Sequence, residues 1–352
     1  MNIKQLLEFA LAKNASDLHL LATFPPSLKI NGVLQAVPGE EVLTQKTIED
    51  FIFPLMSGEQ KEILLVNKEI DFSYPLADLA RFRVNAYHQQ GTLAAALRLL
   101  PNKIPTIDEL HLPDICHVFA RLRQGFILVT GPTGHGKSTT LAAIMNEINL
   151  SRAVHLVTIE DPIEYVLPKS KSLVSQRELR QDTHSWQIAL RSCLREDPDV
   201  VMIGEMRDLE TISSALTIAE TGHLVFATLH TNSAAQTINR IVDVFPEHQQ
   251  GQIKMQLAST LEAVISQRLV PTLEGVRLPA VEILVATQAV RTTVREGRTH
   301  LIDNIIQTSA DLGMRSLESD LVRLINAGQI TLETAKSFSL HPDEVMRLVR
   351  KR

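Results

Sequence analysis

The sequence predicts an α/β protein with a mixed N-terminal part, a larger strand–helix–strand part built around a phosphate-binding loop, and a helical C-terminal region. Three observations carry that prediction. Residues 126–130 form an apolar, β-branched run that enters the glycine-rich stretch Gly131 to Gly136 and leaves through Lys137-Ser138-Thr139-Thr140 into a helix-forming segment. From Gly125 onward short apolar strands alternate with helical patterns, and their continuous apolarity suits strands covered on both faces. Before residue 100, by contrast, Arg81-Phe82-Arg83-Val84-Asn85-Ala86-Tyr87 alternates with period two, the mark of a strand with one buried face.

In chain order, Leu6, Leu7, Phe9, Ala10 and Leu11 suit an amphipathic helix ending near Asn14. Residues 17–20 read as a strand, Pro25-Pro26 interrupts, and the strand pattern resumes over 28–33 with a turn at Asn31-Gly32. Helices are predicted over 45–56 and 59–66. The strand 81–87 turns near Gln89-Gln90-Gly91 into 92–100, its antiparallel partner. Pro101, Pro105 and Pro113 punctuate the next stretch, with a short helical piece at 107–110, so 101–112 reads as a linker between residues 1–100 and a core over 113–286. In the core, strands are predicted at 126–130, 154–159, 199–204, 223–229 and 281–285, and helices at 138–149, 185–195, 208–221, 233–242 and 249–268. Residues 287–352 read as wholly helical, divided by Gly297, Gly313, Gly328 and Pro342.

Bulk properties narrow the function. A chain of 352 residues allows about two domains. A net charge of −5 argues against a nucleic-acid track, which demands a basic surface. Cys116 and Cys193 form no CxxC pair, which speaks against a zinc knuckle or a disulfide framework and fits a reducing cytosol. Each reads as a small core hydrophobe. The first apolar run is broken by Glu8 and Lys13, unlike a signal peptide. No stretch of about 18 apolar residues occurs, so no membrane insertion is expected and any membrane role works through a partner.

The chemistry concentrates in five places. Gly131-Pro132-Thr133-Gly134-His135-Gly136-Lys137-Ser138 fits the GxxxxGK[ST] pattern. Backbone N–H groups of such a loop converge on a phosphate, and the following helix N-terminus adds a favourable dipole. Lys137 can reach the β- and γ-phosphates, and the Ser138 hydroxyl can ligate Mg²⁺. Next, the apolar run Val200-Val201-Met202-Ile203 ends in Gly204-Glu205. An acid at such a strand tip orients Mg²⁺ or the attacking water, and a glutamate suits the latter role. Third, Glu160, Asp161 and Glu164 crowd three like charges into five positions, which a cation such as Mg²⁺ would relieve; a solvent-facing acidic turn is the alternative.

Fourth, His223 and His230 bracket one apolar strand. His230 falls at its C-terminal end, where ligands sit in open α/β sheets, and can sense the γ-phosphate or contact an adjacent subunit. His223 has the alternative of a plain hydrogen-bonding role. Fifth, period two puts Arg81, Arg83 and Asn85 on one strand face, and Arg98 joins them only if the hairpin closes through a two-residue turn. A guanidinium delivered to a γ-phosphate stabilises transition-state charge; a solvated basic face is the alternative.

In order and wording, SDLHL, ARFRVNAY, GPTGHGKSTTLAA, TIEDPIEY, LREDPDVVMIGEMRDLETI and AETGHLVFATLHT resemble the secretion ATPases among the RecA-like NTPases, and most of all the PilT family, motors that retract type IV pili. The resemblance covers nearly the whole chain. It implies a PAS-like N-terminal domain, a RecA-like ATPase core and a helical C-terminal extension. It also implies a cytoplasmic homohexamer that hydrolyses ATP with Mg²⁺ and docks peripherally on an inner-membrane platform protein at the pilus base, driving twitching motility. By the same resemblance Lys137, Ser138 and Thr139 match the Walker A segment; Glu160, Asp161 and Glu164 the Asp box; and Glu205 the Walker B glutamate, the catalytic base. His223 and His230 match the His box, and Arg81, Arg83 and Arg98 the arginines that the N-terminal domain supplies to a nucleotide.

Relatives that extend pili or drive type II secretion carry a four-cysteine zinc module, absent here, which favours the retraction branch. The sequence departs from the family pattern in three places. His135 stands where serine is usual, at a position the loop pattern leaves free. Ala227 stands where glycine is usual. Ala289-Val290-Arg291-Thr292-Thr293-Val294-Arg295-Glu296 occupies the place of AIRNLIRE, a segment associated with retraction, with an amide replaced at Thr292 and an apolar residue by a polar one at Thr293. The rival readings are an accessory or regulatory pilus ATPase beside a paralogous motor, and a DNA or secretion translocase on the same core.

Overall fold

In the computed structural model, which describes residues 1–77, 79–100 and 103–350, the chain divides into two units. The first comprises Met1–Lys103 with the segments Asp161–Val166 and Glu178–His184; the second comprises Ile104–Glu160, Leu167–Arg177 and Ser185–Arg352. Pro101 and Asn102, at the head of the expected linker, lie outside the described residues.

In the first unit, α1 (Ile3–Ala12) starts at a capping box. The Asn2 side chain accepts the Gln5 N–H at 2.9 Å, and the Gln5 side chain accepts the Asn2 N–H at 2.9 Å. Then follow β1 (Asp17–Leu20), β2 (Ser27–Ile30), β3 (Val33–Ala36), α2 (Gln45–Ile52), α3 (Gly58–Asn67), β4 (Glu69–Leu76), β5 (Ala80–Gln89) and β6 (Thr92–Leu100). The strands form one sheet in the order β3-β2-β1-β6-β5-β4. The β5–β6 hairpin closes through the two-residue turn Gln90-Gly91, which sets Arg83 opposite Arg98. Phe82, Val84 and Ala86 face a core that includes Leu6, Leu18 and Ile48, leaving Arg81, Arg83 and Asn85 on the other face. Strand β4 was not expected from the sequence. Its Pro75 argues against a central strand, and β4 is in fact an edge strand, where proline is tolerated.

The second unit opens with α4 (Ile115–Arg121), followed by β7 (Gly125–Thr130), α5 (Lys137–Ser151), β8 (His155–Glu160), β9 (Leu173–Glu178), α6 (Trp186–Cys193), β10 (Val200–Ile203), α7 (Leu209–Glu220), β11 (Leu224–Leu229), α8 (Ala234–Asp243), α9 (Glu247–Thr260), β12 (Leu261–Pro271) and β13 (Arg277–Val285). The sheet order is β13-β12-β7-β11-β10-β8-β9, with β12, β7, β11, β10 and β8 parallel and β13 antiparallel to β12. Every residue of β7, β10 and β11 is buried, as continuous apolarity requires of strands covered on both faces. Cys116 and Cys193 are both buried, and burial pushes both thiols up to about 12.

The helix expected over 249–268 is corrected: α9 stops at Thr260 and β12 takes over at Leu261. No glycine or proline marks the change. Pairing decides it, because β12 lies between β7 and β13 and long-range ladder bonds outweigh local preference. The helical piece expected at 107–110 is a single turn closed by Leu110 N–H on Thr106 O. His117 ties that turn down: Nε2 lies 3.2 Å from Asp108 Oδ1, and Nδ1 lies 2.7 Å from Glu147 Oε2 on α5.

The chain ends in α10 (Gln288–Glu296), α11 (Ile302–Thr308), α12 (Leu317–Asn326), α13 (Leu332–Phe338) and α14 (Pro342–Arg350). Val270, Ala280, Leu317, Leu321, Ala335 and Val345 form an apolar cluster joining the last two strands to α12, α13 and α14. In α10, Arg291 donates to the carbonyls of Ala258 and Ser259 at 3.0 Å each and to Glu262 Oε1 at 2.7 Å. It thus satisfies the C-terminal carbonyls of α9 with a charge of the favourable sign.

Candidate functional site

Strand β7 ends at Thr130, and the loop 131–136 carries the chain into α5. Gly131 (φ 142°) passes β12 so closely that a Cβ would lie 2.3 Å from Gln267 O; at Gly136 (φ 79°) it would lie 2.9 Å from Gln267 Nε2. Glycine is required at Gly131 by conformation and by space, and at Gly136 by conformation. Gly136 caps α5 without a side chain. The N–H groups of the first turn, which includes Ser138 and Thr139, therefore form the donor array that accepts a phosphate. Lys137 is buried, and its Nζ donates to Gly131 O at 2.9 Å and Pro132 O at 3.0 Å. Gln267 links the two ends of this structure: its Nε2 donates to His135 O at 2.8 Å, and its Oε1 accepts the Thr140 hydroxyl at 2.7 Å. Sequence reasoning missed Gln267 because its strand was read as helix.

Glu205 follows the tip of β10. Its backbone is held on both sides: Gly204 N–H donates to Ile159 O at 2.8 Å, Thr228 Oγ1 donates to Gly204 O at 2.5 Å, and Met206 N–H donates to Thr228 O at 3.1 Å. Glu205 Oε1 pairs with Arg207 at 2.6 Å, a partner the sequence reading did not single out, and Oε2 lies 3.5 Å from His230 Nε2. On the other side of the ring, His230 Nδ1 lies 3.4 Å from Lys137 Nζ and 3.4 Å from Thr133 Oγ1. An ammonium has only donors, so it faces the lone pair of Nδ1 and leaves the ring proton on Nε2, toward the carboxylate. Thr133, Lys137, His230 and Glu205 thus meet in a line across the ends of β7, β11 and β10.

The three acids read as one cation site have different partners. Glu160 is buried at the end of β8, where it accepts from Thr158 Oγ1 at 2.7 Å and Gln176 Nε2 at 3.2 Å. Asp161 and Glu164 belong to the first unit; Asp161 lies 3.5 Å from Arg180 and Glu164 3.9 Å from Arg83. Arginines and neutral donors relieve the like-charge repulsion, and among the described residues no three His, Cys, Asp or Glu side chains are grouped to hold a metal.

His223 lies elsewhere in this chain. It sits at the opposite end of β11 from His230, roughly 20 Å along a six-residue strand. There its Nδ1 meets Ile218 O at 2.9 Å and Thr221 Oγ1 at 3.0 Å, closing the turn after α7. Within this chain it does not reach the loop.

The arginines each hold an acid inside the first unit. Arg83 Nε donates to Asp71 Oδ2 at 2.9 Å, and Arg98 Nε donates to Asp17 Oδ1 at 3.0 Å while its side chain stays 65% exposed. Arg81 is embedded deeper, with its guanidinium 2.5 Å from Ser73 Oγ and 3.4 Å from Glu178 Oε2. Glu178, only 1% exposed, also accepts from Ser73 N at 2.9 Å, Ser73 Oγ at 2.5 Å and Ile163 N at 3.1 Å. This network makes Arg81 part of the framework of the first unit rather than a mobile charge. Glu178 escaped sequence reading because its partners Ser73 and Arg81 lie about a hundred residues away.

Comparison with known proteins gives an independent line. A family model described as type II/IV secretion system protein matches residues 77–335. The chain is 43% identical to the type IV pilus retraction ATPase PilT of Pseudomonas aeruginosa, over 97% of this chain and 99% of that protein. It is 43% identical to a twitching motility protein of Neisseria gonorrhoeae, over 95% of this chain and 90% of that protein. It also resembles a crystal structure of the pilus retraction motor PilT with bound ADP, with a TM-score of 0.92 and 43% identity over 99% of both chains.

Proposed function

The chain belongs to the type II/IV secretion system protein family, and from that membership we propose that it is an ATP-hydrolysing motor that drives type IV pilus retraction and twitching motility. One observation carries the reading: Lys137, His230 and Glu205 stand in line beside the glycine loop that opens α5. The retraction ATPase and the twitching motility protein, each 43% identical over nearly the whole chain, support the choice of motor. The ADP-bound relative supports the ligand.

Bound ATP with Mg²⁺ would supply an electrophilic γ-phosphorus whose charge the metal partly neutralises. The N–H groups at the start of α5 hold the phosphates, and Lys137 exchanges the Gly131 and Pro132 carbonyls for phosphate oxygens. Ser138 would hold the metal through its hydroxyl, and the metal would supply charge neutralisation there. Glu160, at the end of β8, would be the second protein ligand of that metal. Glu205 Oε2 accepts a proton from the attacking water, and the N–H of His230 Nε2 keeps that carboxylate aligned.

We assign residues 1–100 to a PAS-like domain, 101–112 to a linker, 113–286 to a RecA-like core and 287–352 to a helical extension. The motor assembles as a homohexamer, in which Arg83 and Arg98 offer charge to the nucleotide of an adjacent subunit. It works in the cytoplasm against an inner-membrane platform protein at the pilus base. No helix among the described residues is long and apolar enough to cross a membrane, which fits attachment through a partner.

Deleting the gene in its own host and restoring it as wild type or Lys137→Ala tests the proposal. Deletion gives cells with more surface pili and no spreading on a surface; wild type restores both traits, and Lys137→Ala restores neither. An unchanged pilus number after deletion would contradict retraction and favour a secretion or DNA translocase.

A further inference from the structure

The phosphate-binding loop has a lateral anchor that the loop pattern does not demand. Strand β12 pairs with β7 only as far as Ser266 opposite Thr130, and their hydroxyls meet at 2.9 Å. It then runs on to Pro271, so its last five residues continue beyond the end of β7. The loop leans on this overhang. Gly131 and Gly136 pass Gln267 closely, and Gln267 donates to His135 O. The imidazole of His135 adds a third attachment: its Nδ1 accepts the Leu269 N–H at 3.0 Å. A ring nitrogen that accepts carries no proton, so the ring is neutral and its N–H is on Nε2.

We propose that His135 is a positioning residue whose neutral imidazole staples the phosphate-binding loop to the overhang of β12, so that nucleotide affinity is lost on acidification as the staple opens. Protonation places a hydrogen on Nδ1, opposite the Leu269 N–H, and turns an attraction between donor and acceptor into a clash of two donors. The charged groups around the ring all oppose its protonation: Arg268 on β12, Lys137 at the head of α5 and Arg277 on β13. Burial, the largest influence, acts in the same direction, and together they hold His135 below the ordinary imidazole value of 6.5. The staple is therefore fully present above 6.5 and lost as pH falls through the depressed value. Lys137 lies two residues on, so loosening the loop at His135 disturbs the groups that grip the phosphates.

This inference rests on the reading of the loop as a nucleotide site, and binding of a ribose-labelled fluorescent ADP to the full-length protein between pH 8 and pH 5.5 tests both. Relative to His135→Asn, whose Oδ1 occupies the place of Nδ1 but does not titrate, the wild type loses affinity on acidification, toward a limit of roughly fivefold at full protonation, the worth of one hydrogen bond. His135→Ala, with no acceptor, binds roughly fivefold more weakly than His135→Asn already at pH 8. Parallel pH profiles for wild type and His135→Asn, or a wild type that binds more tightly in acid, would overturn the staple while leaving the nucleotide site intact. Absence of ADP binding by the wild type at pH 8 would sink the site and the staple together.

Discussion

Glu205→Gln lowers steady-state phosphate release by roughly a thousandfold, the middle of the range for loss of a general base, with little change in nucleotide affinity. The amide keeps the size and the acceptor oxygen, so the turn held by Thr228 and Ile159 is undisturbed. What disappears is the ability to take a proton from water. Arg207, the other partner of the carboxylate, has a side chain 73% exposed and returns to solvent without cost. Phosphate release and ADP affinity measured on the same preparation separate chemistry from binding. Release at the wild-type rate would remove Glu205 from the role of base.

Glu178→Ala destabilises the protein by roughly 3–5 kcal/mol, the usual cost of deleting one member of a buried ion pair. The carboxylate collects two backbone N–H groups, a hydroxyl and the Arg81 guanidinium, all within the first unit. Removing it leaves those donors buried and without an acceptor. Urea unfolding of the full-length protein measures the loss. Arg81→Ala falls on the same side, whereas Arg98→Ala, at an exposed pair with Asp17, changes stability by less than about 1 kcal/mol. A Glu178→Ala variant as stable as wild type would show that this network does not hold the first unit together.

The part of the site that could be read from sequence is the part whose residues are close along the chain. The strand, loop and helix at 126–140 carry their own explanation, because the glycine spacing and the Lys-Ser pair are adjacent. Glu205 and His230 were legible for a related reason: each follows an apolar strand, and parallel strands deliver their C-terminal ends to one edge. The Arg83–Arg98 register followed from a two-residue turn. Gln267 was hidden because Leu261–Pro271 carries no breaker and becomes a strand only through pairing with β7 and β13. The acids at 160–164 were read as one group because spacing along the chain does not reveal their different partners: Thr158 and Gln176 for Glu160, Arg180 for Asp161 and Arg83 for Glu164. His223 was grouped with His230 through the His-box resemblance, and within one chain the length of β11 separates the two.

The central claim is that the loop around Lys137 grips a triphosphate while Glu205 directs water at its terminal phosphorus. A crystal structure of the assembled protein with Mg²⁺ and a non-hydrolysable ATP analogue tests it most directly. The account predicts Lys137 Nζ transferred from the Gly131 and Pro132 carbonyls to the β- and γ-phosphate oxygens, with a Glu205 oxygen in hydrogen-bond range of a water facing the γ-phosphorus. Lys137 still bound to those two carbonyls, with Glu205 turned from the phosphates in every subunit, would contradict it.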